Sequence, residues 1–183
     1  MEAVYLFVES YCNHSNIQLQ IFVEQYHNFT LAKYVDAVAA KSPVPGGGSV
    51  AALTAATATA LITMVAQYSL GKSSSKNIDK NIRKILKRSD QLRRRLLELV
   101  DLDAQAYLDV VAARNAPTPQ RKAALRKAAQ IPKEVCRCCY AAIQLTPFLV
   151  TQGNKNLISD IEVAVELLFA SFKSATIMMM TNQ

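Results

Sequence analysis

From Ser42 to Gly71 the chain carries no charged residue, and most of that stretch reads as one helix from about Ser49 to Leu70. Val50, Leu53, Leu61, Met64, Val65 and Tyr68 fall on one face of it. Ala52, Ala55, Ala56, Thr59, Thr63 and Ala66 fall on the opposite face. A helix that is apolar all round has to be buried all round. The small-residue face lets another helix backbone approach closely, which suits a central helix or a subunit contact. Thr54, Thr57, Thr59, Thr63, Gln67 and Ser69 dilute its hydropathy below that of a Leu/Ile/Phe-rich span. The expectation is therefore a buried helix of a bundle and no membrane partner.

The rest of the chain supplies the neighbours such a helix needs. No segment alternates apolar and polar residues between turn signals, so strands are not indicated. Thr30 caps a short helix, Leu31 to Ala40. Lys41-Ser-Pro-Val-Pro-Gly-Gly-Gly-Ser49 breaks it, and Gly71 stands where a helix-ending left-handed residue is wanted. A long helix comes next, from about Asn77 to Asn115. Thr118-Pro119 restarts the chain as N-cap and first helical residue, and Pro132 and Pro147 kink or divide the third long segment. After Gly153-Asn154-Lys155-Asn156, Ser159 and Glu162 read as a capping box for the last helix. The fold class expected is all-α, a bundle of long antiparallel helices, with residues 1–29 an N-terminal helical extension and residues 30–183 the domain proper.

The net charge of +7 over 183 residues suggests a polyanion partner until it is located. Between Lys72 and Arg95 there are ten basic residues and two acids, so the remainder sums to −1. Lys76, Lys80, Arg83, Lys84 and Lys87 share one side of a helix whose other side is Ile78, Ile82, Ile85, Leu86, Leu92 and Leu96. That is a solvated face, with a polyanion surface as the alternative. No zinc finger, basic zipper or RNA-type aromatic motif accompanies it, so nucleic acid is not the expected partner. The start, MEAVYLFVES, lacks the basic n-region of a signal peptide, which points to the cytoplasm. Cys136, Cys138 and Cys139 have no second ligand cluster, and His14 and His27 have no matching spacing. They read as reduced structural thiols, with no metal.

Two features break the pattern. Three glycines before a helix N-terminus expose backbone N–H groups to an anion or a polar ring edge. The alternative is a tight loop where helices pass closely. Gly46-x-Gly48-x-x-Ala51 formally matches a dinucleotide fingerprint, but no strand precedes it. The second feature is Asp103. The core stripe of its helix runs Leu92, Leu96, Leu99/Val100, then Asp103, then Ala106/Tyr107 and Val110. A carboxylate at a core-facing position needs a cavity or a partner, and one lining a pocket is a candidate general acid/base. The alternative is a structural hydrogen bond or ion pair. Tyr107 lies one turn on, on the same face, whereas Asp101 projects elsewhere and reads as a solvent residue.

Lys41-Ser-Pro-Val-Pro-Gly-Gly-Gly-Ser-Val-Ala-Ala-Leu53 resembles the K-S-P-x-P-G-G-G-S-V-A-A-L signature of the formiminotetrahydrofolate cyclodeaminase/methenyltetrahydrofolate cyclohydrolase family. The likeness continues through Met64-Val-Ala, Leu70-Gly71-Lys72, Leu99-Val-Asp-Leu-Asp103-Ala-x-Ala-Tyr107, Ala129-x-Ile-Pro132 and Gly153-Asn154-x-Asn156-x-x-Ser159-Asp160. These landmarks cover about residues 30–182.

The resemblance implies an all-α folate enzyme, usually a homodimer, binding a tetrahydrofolate derivative in a cleft bordered by Pro45, Gly46, Gly47, Gly48 and Ser49. Lys72, Asp103 and Tyr107 are then the catalytic set: Asp103 carries the proton, Tyr107 orients it, and Lys72 is a polar or tail contact or a donor to a ring nitrogen. Asp160 and Asn182 contact substrate. No metal or other cofactor is implied. Met178 stands where the family has the first asparagine of an N-V-x-I-N ending. The usual C-terminal extension is absent and some 25 N-terminal residues are extra.

The favoured activity is methenyltetrahydrofolate cyclohydrolase, because no formiminotransferase segment accompanies the sequence. The alternatives are formiminotetrahydrofolate cyclodeaminase and a degenerate, non-catalytic folate-binding dimer. The basic helix would draw in a substrate with an anionic glutamate tail, polyglutamylated or not.

Overall fold

The computed structural model describes residues 25–181. A 3₁₀ turn at Tyr26–Asn28 precedes six helices: α1 Leu31–Ala39, α2 Gly47–Ser69, α3 Lys76–Ala112, α4 Thr118–Ile143, α5 Thr146–Gln152 and α6 Ile158–Thr181. A second 3₁₀ turn, Lys155–Leu157, leads into α6. No strand occurs among the described residues. The long helices α2, α3, α4 and α6 pack as an antiparallel ring in which α2 lies between α3 and α6, and α4 closes the far side. The all-α bundle expected from the sequence is what the chain forms.

Local chemistry explains most of the boundaries. Thr30 Oγ1 accepts from the Lys33 N–H at 3.2 Å and caps α1. Gly71 has φ +73°, which permits the reversal after α2. The Gly71 N–H is bonded 3.0 Å from Asp79 Oδ1 in the first turn of α3, fixing the α2–α3 hairpin. Gly153 is required for a different reason: a Cβ there would collide with the Leu149 carbonyl and with Ser69 Oγ. Ser69 Oγ also accepts from the Asn154 N–H at 2.8 Å, tying the entry to α6 to the C-terminal end of α2.

The core is built on the small face of α2. Ala52, Ala55, Ala58, Ile62, Val65 and Ala66 are fully buried against Ile82, Leu96, Leu99 and Val100 of α3 and Ile161, Ala164 and Leu168 of α6. Lys76, Lys80, Arg83, Lys84 and Lys87 are exposed on the outside of α3, as the amphipathic pattern requires. Cys138 and Cys139 are buried free thiols, and burial pushes the Cys139 thiol up to about 12.

Several details differ from the sequence expectation. The α2 helix is not buried all round within one chain, since Val50 is 37% and Tyr68 60% exposed. Its neighbours cover the small face together with Ile62 and Val65, while Val50 and Tyr68 are exposed and Leu53, Leu61 and Met64 half-buried. Pro132 is buried inside an unbroken α4, so only Pro147, at the start of α5, divides that segment. Thr118 is already helical, with Pro117 at the N-cap. Ser159 forms no capping box, because α6 continues from the 3₁₀ turn capped by Asn154, whose side chain accepts from the Asn156 N–H.

Both α2 and α6 are long and apolar enough to cross a membrane by length and composition. The first is the bundle's central helix. Among the described residues no group of three or more His, Cys, Asp or Glu side chains could hold a metal ion. Cys12, His14 and Asn182 lie outside the described residues, as does most of the expected N-terminal extension.

Candidate active site

The glycine loop ends at the N-terminus of α2, where α2 crosses the C-terminal half of α3. The Val44–Pro45 peptide is cis and Pro45 is buried. Gly46 is the N-cap, Gly47 is exposed, and Gly48 and Ser49 are buried in the first turn. The Asp103 carboxylate lies directly over Gly48. A Cβ on that glycine would come within 3.0 Å of Cγ and both oxygens of Asp103. Glycine is needed at position 48 for this close approach.

Partial burial raises the Asp103 pKa above the usual carboxylate range, opposed by the Ser49 backbone N–H, which favours the charged form. No cation pairs with Asp103 among the described residues. A partly buried carboxylate with a backbone donor and no ion pair among the described residues is a candidate for proton exchange.

The side chain that braces this turn is one the sequence did not single out. Tyr34 of α1 is buried, and its hydroxyl shares a hydrogen bond of 2.9 Å with Ser49 Oγ. Burial raises the Tyr34 pKa; the Ser49 bond lowers it, and the nearby Asp103 and Asp101 charges raise it further. The expectation that Tyr107 orients Asp103 is corrected. Tyr107 is 47% exposed and makes no hydrogen bond to Asp103. It lines a cleft of about 170 Å³ with Val110, Val111, Arg114, Arg121 and Leu125, where the α3–α4 turn opens to solvent. Being four residues along brings Tyr107 to the same side of α3, but nothing there closes over it.

Asp101 is corrected as well. It is not a free solvent residue: its carboxylate binds the His27 ring Nδ1 and accepts from the His27 backbone N–H at 3.2 Å. That contact ties the 3₁₀ turn ahead of α1 to α3, and so helps seat Tyr34.

The remaining predicted residues are at the other end of the bundle. The 23-residue α2 is about 34 Å long. Lys72 is exposed just beyond its C-terminus, and its side chain has no partner among the described residues. Asp160 is half-buried in the first turn of α6, next to the Asn154–Ser69 contact, and its side chain too has no partner among them. Antiparallel α6 brings Met178 to the opposite end, where a Cβ on Gly47 would meet Met178 Sδ at 3.4 Å. Pro45, Gly46, Gly47, Gly48, Ser49 and Asp103 therefore come together, Tyr107 opens into a cleft at the α3–α4 turn, and Lys72 and Asp160 lie at the far end of α2, without partners among the described residues.

Comparison with known proteins gives this arrangement relatives. The profile of the family described as Formiminotransferase-cyclodeaminase matches residues 30–183. A methenyltetrahydrofolate cyclohydrolase from Methylorubrum extorquens is 33% identical over 165 residues, 85% of this chain and 79% of the relative. A formimidoyltransferase-cyclodeaminase from Rattus norvegicus is 31% identical over 149 residues, and this chain spans 28% of its length. The crystal structure of a formiminotetrahydrofolate cyclodeaminase from Thermotoga maritima superposes with a TM-score of 0.82 at 30% identity, covering 85% of this chain and 78% of that one. The glycine-loop signature, the helical bundle and these matches agree, and the chain belongs to the formiminotransferase-cyclodeaminase family.

Proposed function

We propose that this protein is a methenyltetrahydrofolate cyclohydrolase, converting 5,10-methenyltetrahydrofolate and water to 10-formyltetrahydrofolate. The observation that carries the reading is the Asp103 carboxylate seated on Gly48 with the Ser49 N–H as its donor among the described residues. The substrate bridge is an amidinium cation, so a carboxylate beside it stabilises charge and moves protons. As water attacks the bridging carbon, Asp103 accepts one of its protons. It returns that proton to N5 as the carbon–N5 bond breaks, while the remaining hydroxyl proton leaves to solvent and the formyl C=O forms. The step consumes one water and releases one proton.

The half-buried Gly46 and exposed Gly47 at the α2 N-terminus suit the polar edge of the pterin. The protein works as a homodimer in the cytoplasm, with no metal and no other cofactor, and the basic outer face of α3 favours substrates with an anionic glutamate tail. A second reading, formiminotetrahydrofolate cyclodeaminase, is favoured by the likeness to the Thermotoga maritima structure. Loss of the methenyl chromophore and ammonia release, measured in parallel, separate the two. Ammonia from the formimino substrate without water-dependent methenyl loss would establish the second reading. Neither signal, with folate bound or not, would establish a non-catalytic protein, a case that Met178 beside Gly47 would fit.

A further inference from the structure

We infer that the cleft at the α3–α4 turn holds the p-aminobenzoylglutamate arm of the folate, with Arg114 and Arg121 binding the glutamate carboxylates. This rests on the folate-enzyme reading above, in which the pterin and its one-carbon bridge lie at Asp103 and the glycine loop. The α3 helix does not stop there. From Ala104 to Ala112 it runs about 13 Å past the contact with Gly48, beyond the start of α2 at Gly47. An aromatic ring, an amide and a glutamate laid along that overhang have a comparable length.

Tyr107, Val110 and Val111 stand four, seven and eight residues after Asp103, so the α3 wall of the cleft continues the side of the helix that carries the carboxylate. With Leu125 of α4 these side chains make a largely apolar trough of about 170 Å³ in which Tyr107 and Val111 are exposed, surroundings that suit an aromatic ring. The trough ends at Arg114, in the turn after α3, and Arg121, in the first turn of α4. Neither guanidinium has a carboxylate partner among the described residues. Asp109, the only acid between residues 104 and 125, is already held by Lys127 Nζ at 2.8 Å and Gln105 Nε2 at 2.7 Å. Two arginines without an anion at the end of an apolar trough match a group with two carboxylates, since a guanidinium grips a carboxylate through two parallel hydrogen bonds. The basic outer face of α3 does not reach this arm, because Lys87 lies 16 residues, about 24 Å, before Asp103.

The test varies both sides of the contact. KM and kcat are measured by loss of the methenyl chromophore, on 5,10-methenyltetrahydrofolate and on its analogue ending at p-aminobenzoate, which lacks the glutamate. The wild type is expected to show a KM about tenfold higher for the truncated substrate. Its kcat should differ by less than about twofold, because a contact remote from the reacting carbon serves ground state and transition state alike. The double variant Arg114→Gln/Arg121→Gln is first checked for wild-type helicity by circular dichroism. It is expected to raise the KM of the full substrate about tenfold, to the value that the truncated one has with the wild type.

A wild type with the same KM for both substrates would overturn the proposal before any variant is made. So would a folded double variant in which the full substrate keeps its tenfold advantage. If the double variant does not fold, Arg114→Gln and Arg121→Gln carry the same comparison singly, at about threefold each. Failure of the folate reading is a different result, a wild type that turns over neither substrate, and it removes this site as well.

Discussion

The Asp103 carboxylate rests on the Cα of Gly48, with no room between them for a single methyl group. This contact joins α2 to α3 at the point where the glycine loop becomes helix. It also holds an ionisable group at a helix N-terminus without a counter-charge among the described residues.

Gly48→Ala tests that contact. Alanine improves helix propensity by up to about 1 kcal/mol, but here its Cβ displaces the carboxylate or the helix, an overpacking cost of about 1–3 kcal/mol. The expected outcome is a lower midpoint in urea and a loss of turnover larger than the loss of stability accounts for. Gly46→Ala, with nothing within 4 Å of its added Cβ, is the control and should fold with an unchanged midpoint.

Burial of Asp103 has a consequence for stability. Its pKa is raised in the fold, so the folded state binds the proton more tightly than the unfolded chain does. Its contribution is therefore most favourable at low pH and worsens as pH rises through the ordinary carboxylate range to the raised folded value. Asp103→Asn removes that cost. Thermal melts should show the variant gaining on the wild type as pH increases from the ordinary carboxylate range towards neutrality, while its turnover is lost. A melting difference independent of pH would contradict the raised pKa.

Tyr34→Phe removes the buried hydroxyl bonded to Ser49 Oγ at 2.9 Å. Leaving Ser49 without that partner should cost about 1 kcal/mol in chemical denaturation. Because the Ser49 N–H also holds Asp103, the pH midpoint of turnover should shift with it. An unshifted pH profile would make Tyr34 purely structural.

Glu134 binds Arg95 through two oxygens, at 2.7 and 2.9 Å, clamping α4 to α3. The Arg95 guanidinium holds the Glu134 carboxyl below its ordinary value. That stability is present above the unfolded glutamate pKa and is lost as pH falls through the depressed folded pKa. The pair is partly solvated, so Glu134→Gln should cost about 0.5–1 kcal/mol at neutral pH, and nothing at pH values below both pKa values. Urea titrations at the two pH extremes measure the difference.

Helix periodicity was enough to read the bundle, and Asp103 was legible because a carboxylate interrupts an otherwise apolar stripe. Tyr34 was not, since the stripe around it, Leu31, Val35 and Val38, looks like the buried face and is in fact exposed at 78%, 62% and 37%. Tertiary packing against Ser49 reverses the local pattern. Asp101 was misread because its partner, His27, lies 74 residues away. Lys72 and Asp160 were legible as family landmarks. Their distance from Asp103 comes from the straightness of α2, which a motif read along the sequence does not convey.

The central claim is that Asp103 carries the proton in the chemistry of a folate one-carbon bridge. It is tested most directly by the rate of methenyl chromophore loss for wild type and Asp103→Asn across pH. The wild type should turn over with an acid limb lying above the ordinary carboxylate range, and the variant should fall by about 10² or more with that limb gone. A variant that retains wild-type turnover with an unchanged limb would contradict that claim.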